Sequence, residues 1–137
     1  MKSAHLPLLA AVVLAGMVFA LQPVMAHHSG AGFDSDKVAE ISGTVKEFQF
    51  KNPHTWIQVI VEDAKGQKTE WSLEWGSPNA LGRQGYRPST FPAGAKVTMK
   101  MHPMKDGSPA GEFIAARFAD GKVVGQWDDS KKANPAN

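Results

Sequence analysis

The sequence predicts a mostly β domain, a small five-stranded barrel with one short helix between strands 3 and 4, preceded by a cleavable signal helix. Three observations lead to this fold class. Apolar and polar residues alternate in five short runs, a Ser-Pro pair follows the third run, and an apolar segment with a cleavage motif begins the chain. Alternation with a period of two is typical of strands that bury one face.

The first 26 residues have the three parts of a secretory signal peptide. Lys2 supplies a positive charge, Leu6–Leu21 supplies the apolar core, and Val24-Met25-Ala26 resembles a cleavage site. An uncleaved membrane anchor is the alternative, but the apolar run is shorter than the roughly 20 residues of a spanning helix. We therefore predict cleavage after Ala26, a mature chain that begins at His27 with no stable membrane anchor, and a periplasmic or secreted location.

Removing these 26 residues from the 137 leaves 111, which suits one domain. We expect an extended arm over residues 27–37, a barrel over 38–125 and a flexible polar tail over 126–137. The remaining 14 basic and 13 acidic side chains are nearly balanced and form no basic block, so no nucleic-acid partner is expected. The absence of cysteine excludes disulfides, thiolate metal sites and thiol catalysis. We expect a monomer whose partners the sequence does not identify.

Each of the first three predicted strands has its apolar residues on one face. In strand 1 the alternation changes phase after Val45, which predicts a β-bulge. Asp63–Gly66 has the composition of a turn between strands 2 and 3. Glu70 and Glu74 share the outer face of strand 3, where a solvated face is favoured over a carboxylate pair for acid–base chemistry. The predicted inward-facing residues are Ile41, Val45, Phe48, Phe50, Ile57, Val59, Val61, Thr69, Trp71, Leu73 and Trp75.

A short helix and two strands complete the predicted domain. Ser77 as N-cap and Pro78 at the first helical position open the helix, and Gly82 or Gly85 ends it. A hairpin turn at Lys105–Ser108 joins strands 4 and 5. This element order is that of an OB-like Greek-key barrel, and an open antiparallel sheet or a sandwich is the alternative. The predicted core residues of the last two strands are Val97, Met99, Met101, Ile114, Ala116 and Phe118.

Several separated motifs occur together in one order along the chain. They are Ala26–Ser29, Gly43–Trp56, Glu70–Glu74, Gly76–Gly85, Met101–Pro103 and Asp106–Pro109. With these motifs the sequence resembles a family of small exported bacterial proteins known only as a domain of unknown function. The resemblance extends from about Ala26 to Gly125. It implies an export signal and one small β domain, and it brings neither an established activity nor catalytic residues.

Four histidines remain after cleavage and are the candidate metal ligands: His27, His28, His54 and His102. A cut after Ala26 gives His27 a free α-amine that can chelate together with its ring Nδ1. One further imidazole would complete a three-nitrogen site, and Cu(II) prefers tetragonal nitrogen ligation. A cut one residue earlier would place a histidine third in the chain, which also binds Cu(II). The alternative is that all four histidines are structural or solvated.

Methionine and tryptophan side chains offer weaker signals. Met99, Met101 and Met104 suggest soft ligands for Cu(I), but alternation already explains Met99 and Met101 as core residues. Trp71 and Trp75 share a predicted face with Leu73, which favours core packing over an exposed aromatic platform.

These observations predict a small periplasmic binding module whose ligand is copper or another transition metal. The alternative is a metal-free envelope module that binds a partner or ligand through the exposed barrel face around Trp56, Asn52 and Arg83. An enzyme is the least favoured class, because the sequence has no nucleophile motif, phosphate-binding loop or His-Glu-x-x-His helix. A copper oxidase activity would use the same histidines.

Overall fold

The computed structural model describes residues 32–129 and the backbone of 134–135. The predicted signal peptide lies outside these residues, and so do His27 and His28, which follow it. Within them no helix has both the length and the apolar character to cross a membrane. The elements are β1 (Ala39–Gln49), β2 (Trp56–Glu62), β3 (Lys68–Glu74), α1 (Pro78–Arg83), a 3-10 turn (Pro88–Thr90), β4 (Lys96–Pro103), β5 (Ala110–Phe118), β6 (Val123–Gly125) and β7 (Asn134–Pro135).

Five of the strands form a closed barrel. The strand order is β2-β3-β5-β4-β1, and β1 also pairs with β2, which closes the sheet. Strands β3 and β5 pair in parallel, whereas the other pairs of the barrel are antiparallel. The helix α1 lies in the connection between β3 and β4. The prediction of an OB-like five-stranded barrel with one short helix is therefore confirmed.

Strand β1 is long, and it pairs with β2 and β4 within the barrel and with β7 outside it. Its register with β2 shifts between Val45 and Glu47, where the sequence predicted a bulge. Gly43 precedes this shift at a very close approach of the two backbones. A Cβ atom on Gly43 would lie 2.4 Å from the carbonyl oxygen of Ile60, so only glycine allows β1 to come this near to β2.

The core of the barrel is built around Phe91. This ring is 2% exposed, and its centroid lies 5.2 Å from that of Phe48, 5.6 Å from Phe113 and 5.6 Å from Phe118. Phe91 belongs to the connection before β4, so no strand periodicity marked it. Most of the predicted inward-facing residues are confirmed as core residues, including Val45, Ile57, Val59, Leu73, Val97, Met99 and Met101.

The predicted face of β5 is partly wrong. The register between β4 and β5 shifts between Lys100 and Met101, so that Lys100 pairs with Ala115 and Met101 pairs with Phe113. This shift leaves Ile114 as the extra residue of β5. Phe113 is consequently a buried core residue in place of Ile114, which is half-buried. Ala116 is buried as predicted.

The helix α1 begins and ends as the sequence predicted. The Ser77 side chain accepts a hydrogen bond from the Ala80 backbone amide at 3.3 Å, and Pro78 is the first helical residue. The chain leaves the helix at Gly85, which has a φ of +92°. Leu81, at 2% exposure, is the buried residue of this short helix.

Candidate functional site

One loop and two strand ends meet at one end of the barrel around a cavity of about 270 Å³. They are the loop between β1 and β2, the end of β3 and the start of β5. We call this space the His54 cavity. Its lining residues are Phe33, His54, Glu74, Trp75, Gly76, Glu112 and Phe113.

The backbone around His54 is held against the end of β3. The amide of Thr55 donates to the carbonyl oxygen of Gly76 at 3.1 Å, and the amide of Trp75 donates to the carbonyl oxygen of Thr55 at 2.9 Å. The Thr55 hydroxyl donates to the same Gly76 oxygen at 3.1 Å, and Thr55 is fully buried. Although His54 lies in a loop, its neighbour Thr55 is therefore held by hydrogen bonds through its amide, its carbonyl oxygen and its side chain.

The imidazole of His54 is paired with the carboxylate of Glu74 through Nδ1 and Oε1. The Glu74 side chain is 9% exposed and that of His54 is 38% exposed. The expectation that Glu74 lies on a solvated face is wrong. Glu74 is on the outer face of β3, as its position predicts, but His54 and the surrounding loops cover it.

This pairing decides which ring nitrogen of His54 keeps a free lone pair. An ionised carboxylate only accepts hydrogen bonds, so Nδ1 carries the proton in the neutral imidazole. Nε2 is then the acceptor. A carboxylate that holds one imidazole nitrogen while the other is left for a ligand is the arrangement seen around metal-binding histidines.

His102 has the same protonation pattern with a different partner. Its Nδ1 donates to the carbonyl oxygen of Lys37 at 2.7 Å, which again leaves Nε2 as the acceptor. His102 pairs with Glu112 across β4 and β5, and Glu112 pairs with Glu74 across β5 and β3. Because directly paired residues project to the same side of a sheet, Glu74, Glu112 and His102 lie on one outer face.

The segment before β1 is docked beside the cavity. Phe33 is 7% exposed and forms a β-bridge with Met104. The amide of Asp34 donates to Pro103 at 2.8 Å, and the amide of Lys105 donates to Gly32 at 2.9 Å. The ion pair between Asp34 and Lys37, 2.8 Å long, holds the pKa of Asp34 below its ordinary value and raises that of Lys37.

The structure therefore describes two of the four predicted metal ligands. His54 and His102 flank the Glu74–Glu112 face, and His27 and His28 lie outside the described residues. Residues 32–129 contain no group of three or more His, Asp or Glu side chains placed to hold a metal ion. Met99 and Met101 are fully buried in the core, as the alternation predicted.

The other predicted ligand-binding residues are not joined to one another. Asn52 is exposed in the loop between β1 and β2, Trp56 is half-buried at the start of β2, and Arg83 is exposed in the last turn of α1. No hydrogen bond, ion pair or ring contact links these three described side chains.

Glu74 and Glu112 were missed as site residues, although the hairpin register contained a signal for Glu74. A turn at Asp63–Gly66 pairs Glu62 with Lys68, and counting outward from this pair places Trp56 opposite Glu74. His54 is two residues before Trp56, so the register brings it to the end of β3. Glu112 carried no such signal, because it reaches the site through the parallel pairing of β3 with β5.

Comparison with known proteins places this barrel in a family. The profile of a family of unknown function, DUF6152, matches residues 14–113. The chain belongs to this family. None of the curated proteins matches the DUF6152 chain. Among solved structures it is similar to a mitochondrial single-stranded DNA-binding protein from S. cerevisiae, Rim1, with 12% identity, a TM-score of 0.44 and coverage of 64% of this chain and 95% of that one.

Proposed function

We propose that this domain is an exported metal-binding module in which His54 anchors a transition-metal ion, with copper as the best candidate. The observation that supports the proposal is the pairing of His54 with the nearly buried Glu74 at the edge of a cavity. The pairing orients the ring, fixes its tautomer and directs Nε2 away from the carboxylate. These are the properties that a metal ligand needs and that a solvated surface histidine lacks.

The remaining ligands would come from the N-terminal arm. Phe33 lines the cavity, and His27 and His28 precede it by six and five residues. An extended chain spans about 3.3–3.6 Å per residue, so this length of arm is sufficient to bring either imidazole to His54. Cleavage after Ala26 would add the α-amine of His27 as a further nitrogen donor.

Copper is favoured by the kind of donor atoms. The set proposed is imidazole and amine nitrogen, with the carboxylate of Glu112 at the cavity wall. Cu(II) takes tetragonal nitrogen and oxygen ligands and binds more tightly than the other divalent first-row metals. His102 would be a second imidazole on the same outer face, reached through the Glu112–His102 pair.

The test is to titrate protein that begins at His27 with Cu(II) and to monitor the titration by calorimetry and electron paramagnetic resonance. We expect micromolar or tighter binding of one ion with several nitrogen ligands. His54→Ala should weaken binding at least tenfold, and His27→Ala should do the same. Protein whose His27 α-amine is acetylated is the matched control for the α-amine, since it keeps all four imidazoles and creates no new amino-terminal chelate.

Two results would contradict the proposal in different ways. An absence of Cu(II) binding by the wild-type protein excludes the metal function altogether. Binding that survives both His54→Ala and His102→Ala unchanged shows that the terminal residues chelate copper alone, without the folded site.

A further inference from the structure

A second, larger cavity of about 690 Å³ lies on the outside of the barrel, across β1, β2, the start of β3, β4 and β5. It is distinct from the His54 cavity, with which it shares no lining residue. Its volume is within the roughly 300–1,000 Å³ range of small-molecule sites. We call it the outer groove, and its polar lining residues are Ser42, Thr44, Glu62, Lys68, Lys96, Thr98 and Arg117.

The hydroxyl groups of the groove are arranged in cross-strand pairs. The Ser42 and Thr98 hydroxyls are 2.9 Å apart, and the Lys96 ammonium donates to the Thr44 hydroxyl at 2.8 Å. Each hydroxyl has further capacity to donate or accept. The groove therefore presents a row of hydrogen-bonding groups that suits a ligand rich in hydroxyl groups.

The groove is also positively charged. Lys68, Lys96 and Arg117 line it together with a single carboxylate, that of Glu62. The ion pairs of these cations are long, 3.8 Å from Lys68 to Glu62 and 3.4 Å from Arg117 to Asp129. The Lys96 ammonium is held by a neutral hydroxyl. Such a surface attracts an anion, which would form short, charge-assisted bonds with Lys96 and would replace the long ion pair of Arg117, whose guanidinium also lies 4.3 Å from the centroid of the Trp127 ring.

The aromatic ring in this groove is not free to stack on a nucleobase. One face of Phe118 is stacked on Phe91, with the ring planes 22° apart, and the Lys122 ammonium lies 5.5 Å from the centroid of Phe118. Binding of single-stranded nucleic acid depends on exposed aromatic faces. Among the residues that line the groove, Phe118 is the only aromatic one, so its geometry favours a different polyhydroxylated anion.

We infer that the outer groove binds an anionic saccharide, with Lys96 and Arg117 contacting its sulfate, phosphate or carboxylate groups and the Ser42–Thr98 pair contacting its hydroxyls. This inference is independent of the metal proposal, because the two cavities have no residue in common. Ile60 would supply the apolar contact for the ring carbons.

The test is titration of the isotopically labelled protein with a heparin-derived tetrasaccharide, followed by NMR and calorimetry. We expect saturable shifts at Ser42, Thr44 and Thr98, and binding that weakens as salt rises, since exposed charges are screened. Lys96→Gln and Arg117→Gln should each weaken binding at least fivefold. Both side chains are exposed, so these variants should keep the fold.

Lys51→Gln is the matched control, because Lys51 is an exposed lysine outside the outer groove and its substitution removes the same charge. It should leave the affinity unchanged. Equal losses in Lys51→Gln and Lys96→Gln would overturn the inference by showing attraction to net charge alone. Shifts outside the groove, or equal affinity for a neutral tetrasaccharide or for oligothymidylate, would overturn it as well.

Discussion

Glu74 accepts a hydrogen bond from His54 Nδ1, although one residue ends β3 and the other lies in the loop between β1 and β2. The carboxylate is 9% exposed and the imidazole 38% exposed, so the pair extends from the barrel wall towards solvent. A buried carboxylate needs such a partner, because desolvation disfavours an uncompensated charge. The same bond gives His54 a defined orientation at the cavity.

Substitution of this carboxylate tests whether it prepares His54 for a metal ion. Glu74→Gln keeps the shape of the side chain but weakens its hold on the Nδ1 proton. We expect the Cu(II) affinity to fall by roughly 10- to 100-fold, as for other partners of metal-bound histidines. Calorimetry gives the affinity. Glu70→Gln is the control, since Glu70 is on the same strand but pairs with the exposed Lys46, and it should leave copper binding unchanged.

Removing the imidazole should destabilise the fold even without metal. His54→Ala leaves the Glu74 carboxylate nearly buried without its hydrogen-bond donor, at an expected cost of roughly 1–3 kcal/mol. Urea denaturation of the metal-free protein measures this. If the double variant His54→Ala, Glu74→Gln is as unstable as the single variant, the unpaired charge is not the cause.

Two glycine substitutions should have opposite effects on stability. In Gly43→Ala the new Cβ would meet the Ile60 carbonyl oxygen at 2.4 Å, so the strands must separate, at a cost of about 1–3 kcal/mol. Gly82 lies in α1 with nothing within 4 Å of the corresponding position. Gly82→Ala should raise stability by up to about 1 kcal/mol, since alanine favours helix. Thermal unfolding of both variants checks the contrast, and equal effects would contradict it.

The aromatic core predicts a large effect at a residue outside the strands. Phe91 contacts the rings of Phe48, Phe113 and Phe118 at centroid distances of 5.2–5.6 Å. Phe91→Ala should therefore lower the free energy of unfolding by about 3–5 kcal/mol. Phe91→Leu should cost less, because it leaves a smaller cavity. Denaturation of both variants gives the ranking, and a loss below 1 kcal/mol in Phe91→Ala would show that the core rearranges around the cavity.

The contact of the N-terminal arm with the barrel should weaken at low pH. The Lys37 ammonium lowers the pKa of Asp34. The pKa of an aspartate in the unfolded state is about 3.9. A carboxyl whose pKa is lower in the folded state stabilises that state fully at any pH above this unfolded pKa. The stabilisation is lost as the pH falls through the folded pKa. NMR titration should therefore show the Gly32–Lys105 contact loosening below about pH 4. Asp34→Asn should remove that step, whereas Asp36→Asn, an exposed neighbour, should retain it.

Much of the barrel follows from local patterns. Alternation identified the inward faces of β2, β3 and β4, the change of phase after Val45 located the bulge in β1, and the Ser77-Pro78 pair located the helix. These features depend on neighbours in sequence, so short-range rules are sufficient. In β5 the inward face depends on the register with β4. The register shift there places Phe113 in the core in place of Ile114, so alternation within β5 alone gave the wrong face.

The candidate site divides in the same way. The sequence by itself determined that His54 and His102 have the chemistry of metal ligands and that the chain has no cysteine to compete with them. The hairpin register of β2 and β3 brings His54 near Glu74, but only the tertiary structure decided that this carboxylate is nearly buried and that Glu112 lies beside it. The physical reason is that the parallel pairing of β3 with β5 joins segments separated by the helix and by β4. This pairing, which no single segment encodes, brings those carboxylates to one face.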